Sequence, residues 1–529
     1  MKFLIKHKLM TAGLAVSLLL VSCEKDLERL PQTEITSASV YSDFNNYKGV
    51  LAKIYAGLAV SGQEGGDGNP DIGGIDGGTS NYLRQYFQLQ ELPTDEAVIA
   101  WGDTGLPELH NMNWGSSNPF ITALYYRIYY QIAFSNEFIR ETSDEKLASR
   151  NIAGSQADEA KLFRNEARFM RALSYTHAID LFGNGPFVTE KDVVGVTPPP
   201  RIERKALFDY VESELKDLEN LLKDPRTNEY GRADKAAVWM LLSKLYLNAE
   251  VYTGKSRYSE ARTYAEKVIN ASYSLKPNYN ELFLADNNLD NNEVIFSVNF
   301  DGVHTRTFGG TTYIIHGSTG GSMVPSNYGI NSGWGGLRST KNIAQLFPAV
   351  DGSVDKRGNF HTDGQSFEIN DVATFTDGYP IIKFKNITRS GAPGSDTGGD
   401  FVDTDFPLFR LGDAYLIYAE SVLRGGGGSM ATAIQYVNLL RQRAYSNTSG
   451  NVSSINLDFI LDERARELSW EATRRTDLIR FGKFTSGSYL WPFKGGVKDG
   501  RQVESFRNLY PIPASDLNAN PNLIQNEGY

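Results

Sequence analysis

Apolar residues recur at helical spacing across residues 239–268. In "WMLLSKLYLNAE", offsets of three, four and seven place aromatic, apolar and small residues on one helix face. The residues of that face are Trp239, Leu242, Ser243 and Tyr246. After a turn that contains Gly254, a facing helix carries a stripe of small and apolar residues: Ala261, Ala265 and Val268. The pattern predicts a pair of helices that pack against each other.

The same arrangement returns later in the chain. One predicted face consists of Tyr415, Tyr418, Ala419 and Val422. The sequence "RGGGGS" makes the turn, and the facing side of the second predicted helix consists of Ala433, Val437 and Leu440. This spacing resembles the tetratricopeptide helix pair, with longer turns than the standard repeat.

Further periodic stretches extend the helical prediction over much of the chain. They run near Phe120 to Glu141, Asp158 to Leu181, Ala206 to Leu222 and Asp458 to Phe481. Between residues 280 and 400 the pattern changes to short β-like runs such as "EVIFSVNF" and "YPIIKFKN", separated by Gly and Asn. We therefore predict a mainly α fold in which helix pairs support an irregular region of loops and small sheets.

The N-terminal residues have the layout of a secretory signal peptide. Lys2, Lys6 and Lys8 precede an apolar stretch from Leu9 to Val21, which is too short to span a bilayer. The sequence "LVSC" ends at Cys23 and resembles the bacterial lipobox, in which the thiol is acylated. We predict a signal peptide over residues 1–22, a lipidated tether over 23–36 and one domain over 37–529.

Two other interpretations of the N-terminus remain: a buried cysteine, and a cytosolic chain with an apolar start.

In the predicted domain, loops dominate at about 60–118 and 280–400. If the signal peptide is removed, the formal charge changes from −10 to −13, since the 53 basic residues fall to 50 and the 63 acidic residues stay. That balance argues against nucleic acid as a partner. No thiol follows Cys23, so the mature chain has no disulfide, thiolate metal site or cysteine nucleophile.

Catalytic and metal-binding patterns give little support for an enzyme. Glu463, Glu467 and Glu471 are four residues apart on a predicted helix, but alternating arginines favour ion pairs over catalysis. The chain has no HExxH and no GxSxG motif. The oxygen-rich "DNNLDNNE", from Asp286 to Glu293, matches no standard calcium loop, so a polar turn is favoured and calcium remains the alternative. We predict no cofactor and no enzymatic activity.

Four longer stretches are similar to the SusD/RagB family of outer-membrane nutrient-binding lipoproteins. They are "NEARFMRALSYTHAIDLFGNGPFV", "GRADKAAVWMLLSKLYLNAEVYTG", "ILDERARELSWEATRRTDLIRFGKF" and "LYPIPASDLNANPNLIQNEGY", and they span nearly the whole predicted mature chain. The resemblance implies four tetratricopeptide-like helix pairs that support an irregular binding region. It also implies a lipid anchor in the outer membrane, an outward-facing position and a TonB-dependent transporter as partner.

The loops contain candidate sugar-binding residues. A sugar ring has an apolar C–H face and a polar rim, so a surface site for sugar needs a flat aromatic beside hydrogen-bonding groups. Trp101 lies in a loop bounded by Gly and Pro, with Asp76 and Arg84 as polar companions. Further rings flanked by glycines are Tyr313, Tyr328 and Trp334. Packing of these rings in the core is the alternative.

The resemblance assigns more specific roles. In the starch-binding member of the family, an arc of aromatic rings follows the α-glucan helix, and an Asp, an Arg and an Asn bind sugar hydroxyls. Asp76, Arg84 and Trp101 match its Asp, Arg and first Trp, and Trp334 is a second ring. This chain departs from that pattern at the expected Asn, where Thr104 stands beside Asp103. The remaining ring is either Tyr313 or Phe308.

The predicted function is therefore noncatalytic capture of starch or α-glucan oligosaccharides for delivery to the transporter. The alternatives are the same role with another glycan and a helical scaffold that binds peptides. Aromatic rings clustered in the loops would favour sugar. An open polar groove along the helices would favour peptide.

Overall fold

A computed structural model describes residues 37–66, 68–192, 195 and 197–529. The predicted signal peptide, the proposed lipidation site Cys23 and the tether over 23–36 lie outside the described residues. Within them, no helix combines the length and the apolar composition needed to cross a membrane.

Helices account for most of the regular structure. They are α1 Ser37–Val40, α2 Asn45–Ala59, α3 Tyr82–Glu91, α4 Pro107–Asn111, α5 Pro119–Glu141, α6 Asp144–Ser149, α7 Ser155–Leu181, α8 Arg204–Leu218, α9 Lys235–Leu247, α10 Ala249–Thr253, α11 Tyr258–Ile269, α12 Gly310–Ser318, α13 Lys341–Ala344, α14 Leu411–Leu423, α15 Met430–Tyr445, α16 Leu457–Leu468, α17 Arg474–Arg480 and α18 Ala514–Ala519. Short 3₁₀ turns are Tyr279–Phe283, Pro325–Tyr328, Thr448–Gly450, Lys494–Gly496 and Ser505–Asn508.

The strands are short and form antiparallel pairs. They are β1 Val98–Ile99, β2 Gly185–Pro186, β3 Arg201–Ile202, β4 Val294–Val298, β5 Leu337–Arg338 and β6 Phe406–Arg410. The pairs are β1 with β5, β2 with β3 and β4 with β6. The mainly α fold with small sheets is therefore confirmed.

The long helices form a continuous series of packed neighbours. Helix α5 packs on α7, α7 on α8, α8 on α9, α9 on α11, α11 on α14 and α14 on α15. Both helix pairs predicted from sequence, α9 with α11 and α14 with α15, are confirmed. The small Ser243 lets the first pair approach closely, and its hydroxyl donates to the Ala261 carbonyl at 2.9 Å. In the second pair the Tyr415 and Tyr436 rings stack with centroids 4.6 Å apart.

The helix predicted over Asp458 to Phe481 is wrong as a single element. It breaks between Leu468 and Arg474, where Trp470 and Ala472 have φ angles of 60° and 57°. The break buries the Trp470 side chain, whose Nε1 donates to the Glu96 carbonyl at 3.0 Å. The Trp470 backbone N–H donates to the Glu96 carboxylate at 2.9 Å. A contact made across 374 residues thus overrides the local helical pattern.

The irregular region is only partly as predicted. "EVIFSVNF" contains strand β4, as expected, whereas "YPIIKFKN" forms isolated bridges at Tyr379 and Ile381 and no strand. Its bridge partners, Ser339 and Phe360, come from separate segments, so no continuous ladder develops. Four helices, α3, α4, α12 and α13, lie inside ranges predicted to be mainly loops. Two of them, α3 and α12, carry candidate site residues.

Contacts between distant parts of the chain tie its two halves together. Arg474 Nη2 lies 2.7 Å from the Asp95 carboxylate, and Arg475 Nη1 lies 3.0 Å from the Asp180 carboxylate. All four side chains are buried. The interpretation of residues 37–529 as one domain stays a prediction, and these contacts agree with it.

Candidate functional site

Two tryptophans meet at the edge of the short sheet formed by β1 and β5. Trp101 follows strand β1 and Trp334 precedes strand β5, and Ile99 pairs with Leu337. The backbone N–H of Ala100 donates to the Gly336 carbonyl at 2.9 Å, which extends the pairing toward both indoles. Trp101 Nε1 donates to the Trp334 carbonyl at 3.1 Å, and the ring centroids lie 6.3 Å apart. Strand pairing thus joins rings that are 233 residues apart in the chain.

The absence of a side chain at Gly336 fixes where the first indole lies. A Cβ atom at Gly336 would be 2.6 Å from Trp101 Cε2, well inside normal contact. Trp101 therefore rests directly on backbone, and its ring remains half-buried. Gly336 of the "WGGLRS" motif therefore permits this close approach, which any side chain there would block.

Phe308 extends the aromatic surface, whereas Tyr313 supports it from below. The half-buried Phe308 ring lies 6.1 Å from Trp334 and 5.2 Å from Phe401, measured between centroids. Tyr313 is 0% exposed, packs edge-on against Trp101 at 5.9 Å and accepts a hydrogen bond from Gln88. Burial raises the pKa of Tyr313 to about 12. Of the two rings left open by the sequence, Phe308 is therefore the accessible one.

Arg84 lies at the centre of the site on the first turn of α3. The Asn81 side chain caps this helix and accepts the Arg84 backbone N–H at 2.9 Å. Arg84 Nη1 donates to the Phe308 carbonyl at 3.0 Å, and Cζ lies 4.4 Å from the Tyr313 ring centroid. Burial lowers the pKa of Arg84, while Tyr313, Asp103 and Asp76 act in the opposite direction.

The polar candidates around Arg84 are exposed. Asp76 accepts the backbone N–H of Thr79 at 2.7 Å and its hydroxyl at 2.8 Å, so its carboxylate is held in a turn. Among the described residues, the side chains of Asp103 and Thr104 have no hydrogen-bond partner. The structure thus groups Asp76, Arg84 and Asp103 electrostatically beside the rings, and Thr104 follows in the same loop.

His316 is a residue of this site that the sequence did not indicate. Its ring stacks on the inner face of Trp334 with centroids 4.6 Å apart and planes 26° apart. His316 Nδ1 lies 2.7 Å from the Ser332 carbonyl, and burial lowers the pKa of the ring. A neutral imidazole therefore backs the indole. The sequence offered only a weak indication of this role. His316 follows Tyr313 by three residues and so lies near the same face of α12, but the glycines around this segment favoured a loop over a helix.

Other candidates do not join this surface. Tyr328 is 8% exposed and packs into the core cluster. Asp286 and Asp290 of the oxygen-rich turn both face Arg389, at 3.0 and 3.3 Å. Across the described part of the chain, no cluster of three or more His, Cys, Asp or Glu side chains has the arrangement of a metal site.

The three glutamates of α16 and its C-terminal break are buried in ion pairs, as predicted. Glu463 contacts Arg357 at 2.8 Å, Glu467 contacts Arg410 at 2.6 Å, and Glu471 contacts Lys383 at 2.6 Å. Burial alone would raise the pKa of Glu467, but the charges of neighbouring arginines hold it well below its ordinary value. The three carboxylates therefore serve the packing of the fold, because each is paired with a buried Arg or Lys side chain.

Comparison with known proteins gives a consistent result. The family model described as "SusD family" matches residues 368–529. The chain is 36% identical to the starch-binding protein SusD of Bacteroides thetaiotaomicron, with 96% of each chain covered. It is 24% identical to SusD-like protein P2 of Formosa agariphila, with 80% of this chain and 83% of that protein covered.

Solved structures show the same fold. The surface glycan-binding protein A from Bacteroides fluxus superposes with a TM-score of 0.69 at 19% identity, over 92% of this chain and 99% of that one. Surface glycan-binding protein A from Bacteroides thetaiotaomicron, in complex with laminarihexaose, gives 0.68 at 20% identity, over 91% and 99%.

Proposed function

The chain belongs to the SusD family, and from this membership we propose that it is a noncatalytic cell-surface lipoprotein that captures starch or related α-glucan oligosaccharides. In this proposal it delivers them to a partner TonB-dependent outer-membrane transporter. The α-glucan assignment is supported by the 36% identity to a starch-binding protein over 96% of the chain.

The observation that carries the proposal is the joined surface of Trp101, Trp334 and Phe308. Their rings lie about 6 Å from one to the next and are neither fully buried nor isolated. Adjacent rings at an angle offer stacking faces to successive sugars of a curved chain. Since the surface is assembled before binding, little conformational entropy is lost when a ligand docks.

The polar groups beside the rings complete the proposed site. Arg84 is fixed by carbonyl contacts and supplies N–H donors, while Asp103 and Thr104 present unpartnered oxygens. A hydroxyl can donate to the carboxylate and accept from the guanidinium, so a sugar rim matches both. The position of these rings in the loops also favours sugar over a peptide bound along the helices.

Substitution of the indoles tests the proposal. Loss of one stacking face should remove about 60 to 80 Å² of buried apolar surface, or about 1.5 to 2 kcal/mol at about 25 cal/mol per Å². We expect Trp334→Ala to weaken binding of a cyclic maltooligosaccharide about tenfold to thirtyfold. Isothermal titration measures this affinity, and affinity electrophoresis on starch, pullulan and dextran compares glycans.

The matched control is Trp239→Ala. Trp239 is also half-buried, but it lies on α9 with its Nε1 donating to Glu219 at 3.1 Å. This variant should keep full affinity. Equal affinities for the wild type, Trp334→Ala and Trp101→Ala, at unchanged melting temperature, would show that these rings are not the binding platform.

Delivery to the transporter is tested separately. We propose that the packed helices supply the broad contact surface, while the loops bind glycan. A chain carrying Trp101→Ala and Trp334→Ala should therefore still copurify with the transporter. Loss of copurification would mean that one surface serves both partners.

A further inference from the structure

A cleft of about 430 Å³ is lined by residues of the loop and the helix that also hold Arg84. Its walls are the loop that contains Asp76 and Thr79, Ser117 just before α5, the first turn of α5 as far as Thr122, and Ser515 of the C-terminal segment. The volume falls within the range of roughly 300 to 1,000 Å³ that is usual for small-molecule sites. The cleft is therefore large enough for a compact ligand.

The chemistry of the cleft is that of neutral hydroxyl groups. In the described part of the chain, the side-chain hydroxyls of Ser117 and Thr122 have no hydrogen-bond partner. Pro119 and Phe120 supply an apolar wall, and Asp76 is the only charged residue of the lining. A hydroxyl both donates and accepts, so this lining suits a neutral polyhydroxy ligand better than an ion.

Gln85 is a buried polar side chain in the wall of the cleft, and one of its polar atoms has no partner among the described residues. This side chain lines the cleft and is 1% exposed. Its Nε2 donates to the Thr79 carbonyl at 2.5 Å, which fixes the orientation of the amide. Its Oε1 is buried and has no partner. A buried acceptor without a donor is costly, and a ligand hydroxyl that reached Oε1 would satisfy it.

The cleft and the aromatic surface share one structural support. Arg84 and Gln85 are adjacent on α3 and bind consecutive carbonyls of the same loop, Gly78 and Thr79. Arg84 faces the rings of Tyr313 and Trp101, whereas Gln85 faces the cleft. Asp76 lines the cleft and also acts on the charge of Arg84. Asp76 therefore connects the lining of the cleft with the charge of Arg84.

We propose that this cleft is a second subsite that binds a further neutral sugar unit of the glycan held on the aromatic surface. The inference rests on the proposed function. It extends that function by making affinity depend on oligosaccharide length, since a short ligand reaches the rings alone and a longer one reaches both places.

Filling the cleft from its rim tests the inference. Ser117 is exposed, so Ser117→Trp blocks the cleft without disturbing the core. Thr122→Phe blocks it from the helix, with Thr432→Phe as a matched control at a half-buried threonine of α15. Isothermal titration with maltotriose and maltoheptaose compares a short and a long ligand. We expect both blocking variants to bind maltoheptaose about fivefold to tenfold more weakly and maltotriose with unchanged affinity.

The possible results separate this inference from the proposed function. If Trp334→Ala weakens binding while both blocking variants keep wild-type affinity for maltoheptaose, the second subsite is wrong and the platform stands. Equal weakening of both ligands by Ser117→Trp, at unchanged melting temperature, would make the cleft part of the platform and also overturns the inference. Failure of the wild-type chain to bind either ligand would overturn the proposed α-glucan function and this subsite with it.

Discussion

Phe308 and Tyr313 are five residues apart, yet only the first offers a ring to a ligand. Phe308 is half-buried beside Trp334, and Tyr313 is fully buried beneath Trp101 with its hydroxyl bonded to Gln88. The difference comes from helix α12, which begins at Gly310 and turns Tyr313 inward. Exposure, rather than residue type, therefore decides which aromatic belongs to the proposed platform.

We expect Phe308→Ala to lower α-glucan affinity by about tenfold, because it removes an accessible stacking face. Tyr313→Phe should leave affinity unchanged, since it deletes only the hydroxyl that Gln88 contacts. Titration with a cyclic maltooligosaccharide measures both. The reverse order of effects would mean that the Tyr313 hydroxyl takes part in binding.

The sequence indicated individual site residues better than it indicated their arrangement. Trp101 and Trp334 stood out because each lies among glycines and polar residues, and their side chains do meet. Their meeting depends on a pairing of two-residue strands that no periodic pattern marks. His316 and Gln85 were missed because their roles depend on tertiary neighbours: an indole for His316, and the walls of a cleft for Gln85.

At the scale of elements, buried charge joins helices, strands and loops. Glu467 on α16 contacts Arg410 on β6, Arg443 on α15 and Arg357 in a loop. Each of these side chains is nearly inaccessible to solvent. The packing of four separate segments thus depends on one carboxylate.

Neutralising this carboxylate should be strongly destabilising. Glu467→Gln leaves buried arginines without full compensation, so we expect the free energy of unfolding to fall by about 3 to 5 kcal/mol. Urea denaturation measures the change. Glu266→Gln is the control: its partner Arg262 is a partly exposed neighbour one helical turn away, and we expect about 0 to 1 kcal/mol. Equal effects of the two substitutions would contradict the role given to the buried network.

Asp405, just before β6, makes stability depend on pH. Burial raises its pKa to about 7, although the backbone N–H of Phe300 and the hydroxyl of Tyr230 oppose the shift. Between about pH 4 and 7 the unfolded chain therefore releases this proton while the folded chain keeps it. Because the unfolded state then binds fewer protons, this group reduces stability as pH rises through that window.

We expect Asp405→Asn to remove that loss. The stability of the wild type relative to the variant should fall by about 2 to 4 kcal/mol between pH 4.5 and 7.5, in urea titrations at both values. Other ionisable groups contribute equally to the two proteins and cancel. Parallel pH profiles would show that Asp405 ionises normally in the folded chain.

The elements themselves were predictable where periodicity was long and unbroken. Helices α5 and α7 lie within a few residues of their predicted ranges, because a repeated apolar face is a local signal. The single helix predicted over Asp458 to Phe481 is wrong because the helix breaks at Trp470, where the side chain bonds to the distant Glu96 carbonyl. The "YPIIKFKN" run failed because a strand needs a continuous partner, which the sequence does not specify.

At the scale of the whole molecule, the predicted lipid anchor on Cys23 lies outside the described residues and needs an experiment of its own. Cys23→Ala should yield a soluble periplasmic protein, since several acyl chains hold a lipoprotein firmly and their loss leaves no comparable attachment. Fractionation and metabolic labelling with palmitate measure the outcome. A wild-type chain that takes up no label would contradict the lipobox interpretation.

The buried ion pairs Asp95–Arg474 and Asp180–Arg475 also have a consequence for the order in which parts of the chain fold. While the chain is being synthesised, Asp95 and Asp180 exist for a time before Arg474 and Arg475 have been made. Burying the two carboxylates without these partners would be costly. We therefore expect the native packing of residues 37–345 to form only after the segments near residue 475 are present. A fragment that ends at residue 345 should show no cooperative melting transition, and a sharp transition would refute this order. A chain that completes its fold only late remains accessible to chaperones for as long as its C-terminal segments are missing.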